Sequence, residues 1–197
     1  GSTGQPKGVR IRQRAVVNLL WAMRELLELG PGDALLAVTS VSFDIAALEL
    51  YLPLIAGGRV ILATADMTRD RGRLQQAIAA HGVRFMQATP AAWQMMLQGD
   101  WPGDPRLVAL SGGEALTSDL AERLLDRVGS LWNLYGPTET TIWSAAGRVG
   151  RGQRPITIGR PIANTQLYLL DASRQPVPIG AVGELAIGGD GVSPGYL

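Results

Sequence analysis

The sequence contains no cysteine, which excludes a disulfide framework or a thiolate metal site, and His81 is its single imidazole. That usage fits a reducing cytoplasm. Charge is also scarce: charged residues are 18% of the chain and the formal net charge is +1, so there is no electrostatic footprint for a nucleic acid or an anionic membrane. Long apolar runs are missing as well, because Pro53, Gly57 and Gly58 interrupt the longest candidate before it reaches the length of a membrane span. What remains is globular, since hydrophobic residues make up 46% of 197 positions and that is enough to bury a core. The chain opens at Gly1 in a Gly/Ser/Thr run and stops at Gly195, Tyr196, Leu197 without a polar tail, so both ends read as internal to a larger fold.

From Ala15 to Leu29 the apolar residues Val16, Leu19, Leu20, Met23, Leu26 and Leu27 keep helical spacing, and Gly30 with Pro31 forms a stop signal. Ala34 to Thr39 then reads as a strand and Ile45 to Ala56 as a helix. Arg59 to Leu62 is the next expected strand, Leu74 to Ala80 a helix ended by Gly82, and Val83 to Gln87 another strand. Thr89 and Pro90 supply a cap and a first-turn proline where a further helix begins. Leu107 to Leu110, Thr117 to Val128 and Leu131 to Leu134 continue as strand, helix and strand. This alternation predicts an α/β fold with a mostly parallel sheet flanked by helices. Beyond Gly147 helical spacing disappears, Gly and Pro become frequent, and Gln166 to Leu170 and Glu184 to Ile187 read as short strands. The expected division is therefore an α/β portion, residues 1–147, followed by a small β-rich portion, residues 148–197.

Two stretches carry candidate chemistry. Gly1 to Gly8 holds Ser2, Thr3, Gly4 and Lys7, a set of turning glycines, hydroxyl donors and one ammonium suited to phosphate oxygens. Its spacing is not the Walker pattern, and a solvated terminal loop is the alternative. Asn133 to Thr141 follows a predicted strand at the end where ligands bind in open α/β sheets. There Tyr135 can stack on a base, Thr138 can donate to a phosphate, and Glu139 can hold Mg2+, the alternative being a capped turn. Asp44 stands in an apolar segment, between Phe43 and Ile45-Ala46-Ala47-Leu48. A carboxylate there is costly unless paired; a helix cap and a bound ammonium are its two candidate roles.

Together these stretches resemble the phosphate loop and the Tyr-Gly-Pro-Thr-Glu segment of adenylate-forming enzymes. Phe43 and Asp44 with Glu49 resemble the amine-binding segment of adenylation domains of nonribosomal peptide synthetases. Ser111-Gly112-Gly113-Glu114 resembles their nucleotide-side turn, and Gly183-Glu184-Leu185 through Gly195-Tyr196-Leu197 a later core motif, with Ser193 and Pro194 where many relatives carry Ala and Arg. The matches run in family order along the whole chain. The resemblance implies that the α/β portion belongs to the large N-terminal subdomain of such an enzyme, with the C-terminal lid subdomain outside these residues.

It further implies that Ser2, Thr3, Gly4 and Lys7 cover the β and γ phosphates of ATP, that Tyr135 and Gly136 meet adenine, and that Gly112, Gly113 and Glu114 border adenine and substrate. Thr138 would touch the α-phosphate region and Glu139 would coordinate Mg2+. Asp44 would bind the substrate amine. The remaining amino-acid pocket would be Ile45, Leu48, Gln87, Leu110, Gly112, Leu134, Ile142 and Trp143, a bulky set similar to the pattern associated with glycine. The implied reaction is attack of the glycine carboxylate on the α-phosphorus of ATP with loss of pyrophosphate, followed by transfer to the phosphopantetheine thiol of a carrier domain in a synthetase that also has condensation domains. The family's ribose-binding aspartate and carboxylate-contacting lysine fall after the last motif, so the chain alone is expected to be inactive. An acyl- or aryl-CoA ligase fragment and a non-catalytic nucleotide-binding module are the rival readings. His81 and the tryptophans Trp21, Trp93, Trp101 and Trp132 are expected to be structural.

Overall fold

The computed structural model describes residues 7–197. Five strands, β1 (Ala34–Ala37), β2 (Arg59–Leu62), β3 (Phe85–Ala88), β4 (Asp104–Gly112) and β5 (Val128–Tyr135), are parallel and lie in the order β2-β1-β3-β4-β5. Two antiparallel strands, β6 (Ala145–Arg148) and β7 (Arg160–Pro161), extend the same sheet beyond β5. A separate ribbon pairs β8 (Thr165–Leu170) with β9 (Glu184–Gly189). The α/β expectation with a mostly parallel sheet and a small β-rich part is thus borne out. Sheet membership changes between Pro161 and Thr165, so the main sheet continues past residue 148.

Strand side chains alternate between two helical layers, as the period of two requires. Leu35, Ala37, Phe85 and Leu110 face α1 (Gln13–Leu27) and α2 (Ile45–Ile55), meeting Leu19, Leu20, Met23, Leu27, Leu48 and Leu52. Leu36, Met86, Ala88 and Ala109 face the opposite way, toward α4 (Arg71–His81), α5 (Pro90–Met96) and α6 (Ser118–Leu125). Because both faces are covered, the central strands are buried runs: β1 and β3 have every residue buried.

Helix starts follow their caps. Thr89 accepts from the Ala92 amide with Pro90 at the first turn of α5, Thr117 accepts from the Leu120 amide at α6, and Asp70 accepts from the Gly72 and Arg73 amides at α4. α4 therefore begins three residues before Leu74, where polar, exposed side chains conceal it. α1 ends at Leu27, since Glu28 turns left-handed with φ 53°, earlier than the Gly30-Pro31 signal suggests. α6 stops at Leu125, short of Val128, which opens β5 instead. Three short elements had no sequence signal: β6, β7 and α3 (Ala65–Thr68).

Trp93 and Trp101 are core residues, and the Trp93 indole donates to the Leu110 carbonyl at 3.1 Å. Trp21 departs from the packing expectation. It is half exposed, with the Arg24 guanidinium 4.8 Å from its ring. His81 is the last residue of α4, where a basic side chain suits the helix dipole.

Candidate active site

Strand order 2-1-3-4-5 reverses direction of build between β1 and β3, and the carboxyl ends of the strands at such a reversal open a crevice. A cavity of about 250 Å3 lies there, lined by Val38, Thr39 and Ser40 after β1, Gln87, Ala88 and Thr89 at the end of β3, Gly112 at the end of β4, and Phe43, Ile45, Ala92 and Trp143. A second cavity of about 370 Å3 is lined by Gly113, Glu114, Ala115, Asn133, Leu134, Tyr135, Gly136, Ile158 and Trp143. Trp143 borders both. The two cavities therefore share one indole as a wall.

Asp44 sits between two lining residues of the first cavity, Phe43 and Ile45, at the amino end of α2. Its side chain makes no capping hydrogen bond. Instead its Oδ2 accepts a 2.6 Å bond from the Thr138 hydroxyl, in the turn after β5. The capping alternative is thereby set aside in favour of a carboxylate held toward the Tyr135–Thr141 segment.

Of the expected pocket residues, Ile45, Gln87, Gly112 and Trp143 line the first cavity and Leu134 lines the second, whereas Leu48, Leu110 and Ile142 are buried in the core layer that supports them. Gly112 is needed for the indole to come so near: a Cβ there would lie 2.4 Å from Trp143 Cη2. Gly136 does the same for the backbone, since a Cβ on it would stand 2.4 Å from the Ile142 carbonyl oxygen and 2.7 Å from Trp143 Cα. Thr141 and Ile142 both have positive φ, 64° and 68°, which for a β-branched residue is a real outlier. Such strain costs about 1–3 kcal/mol per residue and persists only where the surroundings enforce it. Here they do. Trp143 N donates to the Thr141 carbonyl at 2.8 Å, Ser144 N to the Tyr135 carbonyl at 2.8 Å, and the Thr141 hydroxyl to the Gly191 carbonyl at 2.7 Å. The strained turn swings the indole back over the strand ends.

The indole is also tied from inside. Trp143 Nε1 donates to Gln87 Oε1 at 2.9 Å, and Gln87 Nε2 donates to Glu49 Oε1 at 3.2 Å. Glu49, fully buried on α2, accepts further bonds from the Thr39 hydroxyl and from the Val38 and Thr39 amides at 2.5, 2.8 and 2.9 Å. Burial pushes the Glu49 carboxyl above the usual range, opposed by these donors from Thr39, Gln87 and Val38. Glu49 and Thr39 were not among the expected pocket residues. Glu49 is singled out in the sequence only as the end of the Phe43-Asp44 motif, with no role assigned, and Thr39 has no sequence signal.

The phosphate-side candidates are partly visible. Ser2, Thr3 and Gly4 lie outside the described residues. Lys7 places its ammonium 5.2 Å from the centre of the Tyr196 ring, and the Tyr196 hydroxyl donates to Glu139 Oε1 at 2.7 Å. The Tyr196 hydrogen bond, more than any other influence, lowers the Glu139 carboxyl below the usual range. The last motif is laced to both: Leu197 N donates to the Gly8 carbonyl, Arg10 N to the Gly195 carbonyl, and Ser193 N to the Glu139 carbonyl. Tyr135, at the end of β5, presents a partly exposed ring to the second cavity. Gly113 turns with φ 84°, and Glu114 follows it at that cavity's edge.

Among the described residues no three His, Asp or Glu side chains gather as a self-sufficient metal cage. A magnesium ion needs less than that when phosphates supply the other oxygens, so the single carboxylate of Glu139 fits it.

A doubly wound sheet with cavities at its strand ends, a Tyr-Gly-Pro-Thr-Glu segment followed by the strained pair Thr141 and Ile142, and the Asp44 carboxylate bonded to that segment suits an adenylate-forming type of site. Comparison with known proteins agrees. The model of the AMP-binding enzyme family matches residues 1–197, and the chain belongs to that family. It is 49% identical over its full length to a dimodular nonribosomal peptide synthase of Bacillus subtilis and 41% identical to tyrocidine synthase 3 of Brevibacillus parabrevis, covering 8% and 3% of those proteins. Among solved structures it superposes with TM-score 0.93 and 47% identity on a four-domain nonribosomal peptide synthetase, holo-AB3403, bound to AMP and glycine; 98% of this chain and 15% of that one are covered. A second synthetase, FmoA3, gives TM-score 0.89 at 27% identity, over 99% of this chain and 22% of that one. The resemblance to synthetase adenylation domains, and to an adenylate-forming ligase, is therefore shown. The chain spans a small part of the length of each of these relatives.

Proposed function

We propose that this chain provides the nucleotide- and amino-acid-binding part of a cytoplasmic enzyme that activates glycine as glycyl-AMP, with release of pyrophosphate, for a carrier-domain thiol in nonribosomal peptide synthesis. The observation that carries this reading is Asp44, a carboxylate without a capping role, beside a cavity closed by Trp143. A substrate ammonium offers that carboxylate a strong charge-assisted partner. A side chain larger than hydrogen would meet the indole, and forcing one methyl into such a space costs roughly 1–3 kcal/mol. The glycine-bound synthetase that this chain resembles gives independent support.

The second cavity takes the adenine, with Tyr135 stacked on the base and Gly113, Glu114 and Gly136 at its edges. Thr138 then lies between Asp44 and the α-phosphate, so one hydroxyl links the amine site to the reacting phosphorus. Ser2, Thr3, Gly4 and Lys7 take the β and γ phosphates. Chemistry in such a site is positioning plus charge stabilisation, with the substrate carboxylate as nucleophile and no covalent enzyme intermediate. Bound magnesium at Glu139 would neutralise phosphate charge. In the proposed division of labour residues 1–147 line both cavities, except for Ile158 at the second, and residues 148–197 brace the Glu139 turn. Because the family places a ribose-binding aspartate and a carboxylate-binding lysine after this last motif, the 197 residues alone give little or no adenylation.

An acyl- or aryl-CoA ligase would share the nucleotide cavity but has no amine for Asp44 to bind. ATP–pyrophosphate exchange by the complete synthetase, with glycine set against acetate, benzoate and larger amino acids, decides between them. Exchange driven by glycine supports the proposal, and exchange driven by the acids lacking an amine overturns it.

A further inference from the structure

Glu49 is not among the lining residues of either cavity described above, yet it ends a buried chain of hydrogen bonds that begins at the pocket wall: Trp143 Nε1 to Gln87 Oε1, Gln87 Nε2 to Glu49 Oε1. All three side chains are buried, at 2%, 2% and 0% exposure, so none can turn to water for a substitute partner. An indole N–H can only donate, and Glu49 Oε1 accepts from the Gln87 amide nitrogen. Gln87 between them satisfies both ends in one orientation alone, carbonyl toward the indole and amide NH2 toward Glu49. Glu49 is in turn fixed by the Val38 and Thr39 amides on Oε2 and by the Thr39 hydroxyl on Oε1, all at the carboxyl end of β1.

We infer that Glu49 is a positioning residue for amino-acid selection: it sets the donor–acceptor direction of the Gln87 amide, and through it locks the Trp143 indole as the wall that admits glycine and excludes alanine. The inference rests on the glycine reading above and adds to it a residue outside the pocket. The strain at Thr141 and Ile142 shows why such a lock is needed, because a backbone held at positive φ by its neighbours has an alternative to fall back to.

The test follows from the chemistry of an amide in place of the acid. In Glu49→Gln one end of the new side chain must meet donors with NH2: either the two backbone amides, or Gln87 itself. Turning Gln87 over relieves the second conflict only by setting its NH2 against the indole N–H. One donor–donor clash remains in every arrangement, and the indole loses its anchor. Trp143→Phe removes the indole N–H and with it the need for direction, so the two changes must be non-additive.

The experiment is ATP–pyrophosphate exchange by the complete synthetase with glycine and with L-alanine, for wild type, Glu49→Gln, Trp143→Phe and the double variant. The expected result is a glycine-over-alanine ratio of kcat/KM that falls several-fold in Glu49→Gln while the KM for ATP is unchanged, and a double variant no less selective than Trp143→Phe alone. A Glu49→Gln enzyme that loses glycine and alanine activity equally, or a double variant whose loss is the product of the two single losses, overturns the inference. A wild-type enzyme that does not use glycine sinks the substrate reading separately. The lock is then judged by the crystal structure of the Glu49→Gln synthetase: a displaced Trp143 ring supports it, and an indole still bonded to Gln87 in the wild-type position overturns it.

Discussion

The Thr138 hydroxyl reaches across 94 positions of sequence to donate a 2.6 Å hydrogen bond to Asp44 Oδ2. It joins the amino end of α2 to the turn after β5, and so, in the proposed reading, the amine side of the site to its phosphate side. A hydrogen bond to a charged group contributes about 1.5–3 kcal/mol. Thr138→Val should therefore raise the KM for glycine by roughly tenfold or more, since about 1.4 kcal/mol is a factor of ten. Asp44→Asn should be more severe, with a loss of about 2–5 kcal/mol in glycine kcat/KM and a much smaller change in the KM for ATP. Steady-state exchange kinetics with each substrate varied in turn would check both.

The contact between Gly112 and Trp143 predicts opposite outcomes for filling and emptying the same space. Gly112→Ala puts a methyl where Trp143 Cη2 would be 2.4 Å away, so the ring must leave its place. Thermal denaturation should show a loss of about 1–3 kcal/mol, with glycine activation lost too. Trp143→Ala removes the wall, and it should cost about 3–5 kcal/mol of stability while improving larger amino acids relative to glycine. Melting curves and a panel of amino acids in the exchange assay distinguish the two.

Glu139 gives a prediction in pH. Its carboxyl is lowered by the Tyr196 hydroxyl first, then by its own backbone amide, with Lys7 adding a smaller charge effect against burial. A depressed carboxyl contributes stability that is present above its unfolded-state pKa and is lost as the pH falls through the lower folded-state value. Tyr196→Phe removes the largest cause, so the Glu139 titration should move up toward ordinary glutamate. A carbon-13 NMR titration of the side-chain carboxyl would follow it. An unmoved titration in Tyr196→Phe would mean that the hydrogen bond is not the cause.

Elements whose signal is local were legible in the sequence. Thr89 with Pro90 and Thr117 mark helix starts by caps that form as expected, and the apolar runs of β1 and β3 read as strands because both of their faces are covered. β6 and β7 were not legible, since Ala145-Ala146-Gly147-Arg148 and Arg160-Pro161 have no apolar run of their own and are strands only through pairing with β5 and with each other. α3 is a single turn on a Thr64 cap, too short for any period to show.

The site divides in the same way. Asp44, Gln87 and Trp143 could be singled out because they stand in recognisable motifs or at fixed offsets from them. The chain from Trp143 through Gln87 to Glu49 could not, because it is a hydrogen-bonded path between residues 56 and 38 positions apart. Nor does any local pattern announce that Thr141 and Ile142 take positive φ; that follows from the Gly191 carbonyl and the Tyr135 strand end closing on the turn.

The central claim, that Asp44 receives the ammonium of a glycine whose α-carbon lies against Trp143, is tested most directly by a crystal structure of the complete adenylation domain with a glycyl-adenylate analogue. The ammonium should lie within hydrogen-bond distance of Asp44, with adenine beside Tyr135 and no room between the α-carbon and the indole for a methyl group. An ammonium bound elsewhere, or a cavity left open beside the α-carbon, would contradict it.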